Sequence, residues 1–157
     1  MHAANIQIGN WLGLKAPATE SDILGIVEGR LGTSFLKRLS ALGLERSGID
    51  EVVIPSRTLQ HRRSRCEKLT TEESDRQFRI IRVLSSAEAV YGSRERALAW
   101  LPKSQRRLEG RSPLSLLNTD TGSRIVEQTL IQINEGMYTW GFMRGTRSRS
   151  PGREDTC

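Results

Sequence analysis

The chain is poor in the residues that build cross-links and metal sites. It has two cysteines, Cys66 and Cys157, and two histidines, His2 and His61. This set is too small for a disulfide framework and forms no spaced cluster of metal ligands. We therefore expect neither a disulfide-stapled fold nor a metal centre. The sparing use of cysteine also fits a protein of the reducing cytoplasm.

Long apolar runs are missing as well. Nowhere do the roughly 18–20 consecutive apolar residues of a membrane-spanning helix occur, and the first residues lack the charged and apolar regions of an export signal. We therefore expect neither export nor a membrane-spanning segment, and no membrane among the partners. Strand patterns are nearly absent too: the apolar run at residues 52–54 is short enough to be an extended stretch, a buried turn or a helix start.

The sequence also lacks a constellation for catalysis, which needs a nucleophile with a base, paired acids or metal ligands. The carboxylates Glu72, Glu73, Asp75 and Asp120 sit where acids favour the first turn of a helix. His61 lies beside arginines, where a histidine is usually a polar surface residue. We expect a protein that is not an enzyme, with no catalytic residue and no cofactor.

What the sequence does contain is positive charge. Its 157 residues carry 24 Lys and Arg against 18 Asp and Glu, a net charge of +6, and 36% are hydrophobic. That is enough apolar material for one domain of ordinary size or two small ones. A polyanion is the first partner to consider, because neutralising phosphates releases counterions. Charge alone does not distinguish DNA from RNA or a membrane surface.

The first part of the chain predicts an arm followed by a helix. Residues 1–18 mix small, polar and glycine residues, which predicts a flexible arm packing through Trp11 and Leu14. Thr19 or Ser21 is suited to cap the helix that follows.

Further along, glycines and threonines mark the helix boundaries. Gly43 is placed to stop a short amphipathic helix, and Thr70 or Thr71 caps the longest helix, which Gly92 ends. With Trp100 on an apolar stripe of the next helix, where we expect it in the core, the pattern predicts an all-α fold.

The C-terminal half closely resembles the toxin-binding domain of Xre/MbcA/ParS-type antitoxins, the partners of RES-domain toxins. Many fixed spacings over about fifty residues make this resemblance specific. The matching positions are Ala89, Tyr91, Gly92, Ala97, Trp100, Leu101, Leu108, Gly110, Ser112, Pro113, Leu116, Leu117, Thr119, Gly122, Val126, Leu130, Ile133 and Gly136.

The preceding region is similar to the Xre-like helix-turn-helix part of the same family. Its matching positions are Leu69, Thr70, Glu72, Glu73, Ser74, Arg76, Arg79, Val83 and Ala87. Together the two parts cover roughly residues 20 to 140. The resemblance implies a cytoplasmic antitoxin that inhibits an NAD-degrading toxin and represses its own operon, acting as a homodimer or in a larger toxin–antitoxin assembly.

The sequence departs from the family at two places. The run PKSQRR replaces an Asn-containing turn before Leu108, and the chain continues past Gly136 with an Arg-rich extension. This extension fits a nucleic-acid arm, a plug for the toxin active site or an unselected addition, and we favour the last.

The stretch SRTLQHRRSRC, residues 56–66, is the candidate DNA reader. From the residues alone, a solvated basic face and a DNA-binding helix are about equally supported. The resemblance favours DNA, because the second helix of a helix-turn-helix enters the major groove. We predict base-facing roles for Arg57, Thr58, Gln60 and His61, and phosphate roles for Arg62, Arg63 and Arg65.

Aromatic residues after Gly136 are the candidate toxin contacts, since such residues are enriched at protein interfaces. For Tyr138, folding back onto the core is about as well supported. Arg144 would suit an NAD-phosphate pocket of the toxin. The full candidate set is Met137, Tyr138, Trp140, Phe142 and Arg144.

The predicted organisation has four parts. Residues 1–18 form a flexible arm, 19–70 a helix-turn-helix bundle for DNA binding and dimerisation, 71–140 a small helical toxin-binding domain, and 141–157 a disordered basic tail. Two other functions stay open. One is a stand-alone helix-turn-helix regulator without a toxin. The other, less favoured, is a protein-interaction adaptor whose basic helix has no function.

Overall fold

The computed structural model describes residues 8–12 and 19–145, with side chains described as far as residue 136. Within these residues every regular element is a helix, which confirms the all-α prediction. Residues 8–12 are helical. The elements after them are α1 (Glu20–Glu28), α2 (Ser34–Ala41), α3 (Arg46–Val52), α4 (Ser56–Ser64), α5 (Thr71–Tyr91), α6 (Arg94–Trp100), a 3-10 turn (Arg106–Leu108), α7 (Pro113–Leu116) and α8 (Asp120–Gly145).

The first helix begins at one of the two predicted caps. Thr19 is the N-cap of α1: its hydroxyl accepts a hydrogen bond from the Asp22 amide at 3.1 Å, and the Asp22 carboxylate accepts one from the Thr19 amide at 3.0 Å. This reciprocal capping box satisfies two of the free amides at the helix start. The hydrogen bonds from the Thr19 side chain and backbone lower the pKa of Asp22, so its carboxylate stays charged at neutral pH.

The longest helix also has the predicted ends. Thr70 caps α5 through a second capping box with Glu73, whose carboxylate accepts a hydrogen bond from the Thr70 amide at 2.7 Å. Gly92 ends the helix with φ at 68°. This left-handed conformation costs little free energy in glycine, because glycine has no Cβ.

The hydrophobic core is built around α5. This helix packs against α1, α6 and α8, and buried side chains occur on it from Ser74 to Ala87. The core is continuous across the predicted boundary near residue 71, since α5 contributes to both halves. The division into two domains therefore stays a prediction.

The predicted arm is anchored at residues 8–12. Trp11 is only 2% exposed, its indole Nε1 donates a hydrogen bond to Glu88 Oε2 at 2.8 Å, and the Arg94 guanidinium lies 4.3 Å from the ring centroid. The arm thus packs through Trp11, as expected, but residues 8–12 form a helical turn held on α5 and α6 rather than a loose segment. The predicted contact of Leu14 lies outside the described residues.

The end of the last helix differs from the prediction. The pattern indicated an end near Gly136 and a disordered tail from residue 141, whereas α8 runs to Gly145. A helical glycine costs only about 1 kcal/mol relative to alanine, and no proline follows before residue 151. Residues 146–157 of the predicted tail lie outside the described part of the chain.

Candidate functional site

Helices α3 and α4 are joined by a turn of three residues, of which the first two are buried and the third, Pro55, is exposed. Val52 at the end of α3, with Val53 and Ile54 in the turn, is almost fully buried. Of the three interpretations of this apolar run, the buried turn fits Val53 and Ile54, while Val52 is the last residue of α3, which none of the three described. The hydroxyl of Ser56 in α4 also donates a hydrogen bond to the Asp50 carboxylate in α3. The turn and this bond tie the start of α4 to α3.

Helix α4 presents a polar, basic surface to solvent. Leu59, 3% exposed, anchors the helix to the core. The side chains on the open side are exposed and line a shallow surface depression; they are Arg57, Thr58, Gln60, His61 and Ser64. The four predicted base-facing residues therefore share one continuous surface.

Arg62 lies apart from this surface. Its guanidinium contacts Glu73 at 3.1 Å and Glu67 at 3.7 Å, and its side chain is 18% exposed. The group predicted to contact phosphate is instead held in an ion pair within the protein. Arg63 is partly buried, whereas Arg65 is exposed at the helix end. The predicted phosphate contacts are thus not equivalent.

The open charges of α4 have no counter-ion within the described part of the chain. The helix contains no acidic residue, and neither Arg57 nor Arg65 forms an ion pair with a carboxylate of residues 8–12 or 19–136. Unpaired guanidinium groups on one surface can bind phosphates or donate two hydrogen bonds to a guanine.

Sequence reasoning missed the second role of Glu73. The sequence predicts Glu73 only as an acid in the first turn of α5, and the structure shows it there in a capping box with Thr70. The same carboxylate also accepts a hydrogen bond from the guanidinium of Arg62, eleven residues upstream. That contact has no sequence signal, because it depends on how α4 packs against α5.

The second candidate site lies at the end of α8. Met137, Tyr138, Trp140, Phe142 and Arg144 are all on the helical backbone of this element. Their side chains lie outside the described residues, so their predicted toxin contacts stay predictions.

The positions between α5 and α8 that match the family pattern have clear structural tasks. The Ser112 hydroxyl caps α7, and Pro113 occupies its first turn. Gly122 is in contact with the carbonyl of Leu116, since a Cβ added to it would lie 2.0 Å from that oxygen. These residues make the compact bend that turns the chain into α8.

Two aromatic residues of the pattern pack together. The rings of Tyr91 and Trp100 lie 5.8 Å apart, and Trp100 is buried, which confirms its predicted place in the core. Partial burial raises the pKa of Tyr91, although the charge of Arg107 opposes this shift. The phenol is therefore neutral at physiological pH.

The described residues contain neither a metal site nor a membrane-spanning helix. No group of three or more His, Cys, Asp or Glu side chains there is arranged to hold a metal ion. None of the described helices is both long and apolar enough to cross a lipid bilayer.

Comparison with protein families identifies the C-terminal half. Residues 86–136 match the sequence model of the antitoxin Xre/MbcA/ParS C-terminal toxin-binding domain. The match begins inside α5 and ends in α8, so it contains α6, α7 and the bend at Gly122.

Similar proteins extend the likeness over most of the chain. The protein named antitoxin Xre from Pseudomonas putida is 33% identical over 135 residues, which cover 86% of this chain and 85% of that protein. A protein of the same name from Yersinia enterocolitica is 36% identical over 87 residues, 55% of this chain and 59% of that protein. The Pseudomonas alignment is long enough to include the α3–α4 region as well as the C-terminal half.

Proposed function

Because the chain belongs to the Xre/MbcA/ParS-type antitoxins, we propose that it neutralises a RES-domain toxin in the cytoplasm and represses its own operon. Residues 86–136 match a toxin-binding domain, which carries the first part of this proposal. The resemblance of the sequence to partners of RES-domain toxins supports a toxin that degrades NAD. In this proposal the chemistry belongs to the toxin, and the antitoxin needs no catalytic residue or cofactor of its own.

Operon repression rests on the surface of α4. A short helix, a three-residue turn and a second helix with an exposed basic face match the arrangement in which the second helix enters the major groove. Arg57 and Gln60 are suited to base edges, since Arg pairs with guanine and Gln with adenine. Thr58 and His61 extend the same surface.

The arginines of α4 then divide into two groups. Arg63 and Arg65 are assigned to phosphates, which position a protein on DNA without reading its sequence. Arg62 is assigned to hold α4 through Glu73 instead. A homodimer, or a larger assembly with the toxin, would present two α4 helices to half-sites about 34 Å apart, one turn of the DNA helix.

Gel retardation of a labelled fragment of the operon promoter tests this assignment. The variant Arg57→Ala should weaken binding about 10- to 100-fold, the cost of one bidentate base contact. The matched control Arg96→Ala removes one exposed charge from α6 and should change binding less than about 3-fold. Equal effects of the two variants would show that α4 is not the helix that contacts the DNA bases.

A further inference from the structure

A groove lies between α1 and α8, above the surface of α5. We name it the α1–α8 groove. It has a volume of about 430 Å³ and is lined by both apolar and polar side chains. The residues around it are Ile8, Glu20, Arg82, Ser86, Val90, Glu127, Leu130, Ile131, Asn134 and Glu135.

Exposed apolar side chains occur in the groove and next to one of its lining residues. Ile131, in the lining on α8, is 56% exposed, and Leu24, one turn after the lining residue Glu20 on α1 but not itself in the lining, is 58% exposed. These are the two most exposed large hydrophobic residues among residues 8–12 and 19–136. Helix α1 also carries Ile23, yet none of its residues is fully buried. Apolar surface left open beside a groove is typical of a protein-binding site.

The lining of the groove is acidic, although the whole chain is basic. Three carboxylates line it, those of Glu20, Glu127 and Glu135, against one cation, Arg82, in a chain of net charge +6. Arg82 is itself held by Glu127 and by the Ser123 hydroxyl. An occupant with positive charge and an apolar face complements this surface. Two copies of the chain joined through this groove would instead bring like charges together.

The position of the groove connects it with the toxin. Seven of its ten lining residues fall within residues 86–136, the part that matches the toxin-binding domain. Ile8, Glu20 and Arg82 lie outside that part and complete the groove.

We propose that the α1–α8 groove binds a basic, amphipathic helix of the toxin. This inference rests on the proposed function, and it makes the N-terminal helix α1 part of the toxin-binding surface. An amphipathic helix lays its apolar face into such a groove, here against Leu130 and Ile131, while its basic residues face the carboxylates of the groove lining. Sequence reasoning placed the toxin contacts only after residue 136.

Two isoleucines of α8 provide a matched test. Ile131 lines the groove, whereas Ile125, 45% exposed on the same helix, does not. Full-length Ile131→Arg and Ile125→Arg variants are titrated against the purified protein encoded by the neighbouring gene, with affinity measured by calorimetry. Ile131→Arg should weaken binding at least about 10-fold, as loss of a central apolar contact does, and Ile125→Arg less than about 3-fold.

A second pair tests the surface of α1 next to Glu20. Leu24 follows Glu20 by one helical turn on the same face, so a helix bound in the groove would reach it, and Leu24→Arg should weaken binding by a similar factor. Leu42→Arg, at a 38% exposed residue of the α2 end, is the control and should not weaken binding. Circular dichroism and thermal denaturation check that all four variants fold. Added salt should weaken binding of the wild type, because the acidic lining attracts a basic partner.

The outcomes separate the two proposals. If the wild type binds and inhibits its neighbour while Ile131→Arg and Leu24→Arg bind equally well, the groove assignment is wrong and the proposed function stands. If the wild type itself does not bind, the proposed function fails, and the assignment of the groove to the toxin fails with it. If the two variants instead abolish self-association in sedimentation experiments and leave toxin binding unchanged, the occupant is a second copy, which overturns the inference.

Discussion

The Arg62 guanidinium donates a hydrogen bond to the Glu73 carboxylate at 3.1 Å, and so ties α4 to the first turn of α5. Both side chains are mostly buried, at 18% and 13% exposure. The same carboxylate accepts the Thr70 amide at 2.7 Å. The helix assigned to DNA is therefore positioned by the start of the helix that leads into the toxin-binding residues.

Replacing Glu73 by Gln should lower the free energy of unfolding by about 1.5–3 kcal/mol. The substitution keeps a side chain able to cap the helix but removes the charge-assisted bond to a mostly buried arginine. Chemical denaturation measures the change. Glu72→Gln is the control, since Glu72 is an exposed neighbour without a described ion pair. Equal stability of the two variants would contradict a structural role for the Arg62–Glu73 pair.

Replacing Gly122 by Ala should destabilise the protein by about 1–3 kcal/mol. A Cβ at this position would lie 2.0 Å from the Leu116 carbonyl oxygen, so the bend before α8 would have to move. Gly136→Ala on the same helix meets no atom within 4 Å and should gain up to about 1 kcal/mol from helix propensity. Thermal denaturation compares the two, and the account requires shifts of opposite sign.

Replacing Trp11 by Ala should lower the free energy of unfolding by about 3–5 kcal/mol, the usual cost of removing a buried aromatic side chain. Trp11→Phe should cost less, because it keeps a ring against Arg94 and loses mainly the hydrogen bond to Glu88. Denaturation curves give both values. A change below about 0.5 kcal/mol for the alanine variant would be typical of a surface residue and would show that the arm is not anchored.

Deleting residues 137–157 should weaken binding to the protein encoded by the neighbouring gene. The truncated chain should also inhibit that protein less. The deleted segment contains Met137, Tyr138, Trp140, Phe142 and Arg144, the side chains predicted to contact the toxin. Affinity is measured for this variant and for one lacking only residues 146–157, which keeps the whole of α8. Unchanged toxin binding by the shorter chain would remove these residues from the interface.

Local signals made much of the fold predictable. The caps at Thr19 and Thr70 and the stop at Gly92 depend on residues within one helical turn. The sequence predicts the stop at Gly92 and narrows each cap to two residues, one of which is the observed cap. The exposed face of α4 was also foreseen, because Leu59 is its only apolar residue. Such features follow from residue type and spacing alone.

Contacts between distant residues were not predictable in the same way. Trp11 and Glu88 are 77 positions apart, and Arg82 meets Glu127 across 45. Whether an arginine is free for DNA or held by a carboxylate, as with Arg57 and Arg62, depends on this packing. The sequence pattern predicts the end of α8 too early, near Gly136, for another reason. Glycine often stops a helix, but α8 continues through Gly136 to Gly145.

Co-purification of the chain with the neighbouring gene's product, followed by an NAD-consumption assay, tests the central claim most directly. The account predicts that the neighbour consumes NAD when alone, that the two proteins form a stable complex, and that NAD consumption stops in that complex. A neighbour that consumes NAD at an unchanged rate in the presence of excess antitoxin, with no complex formed, would contradict the claim.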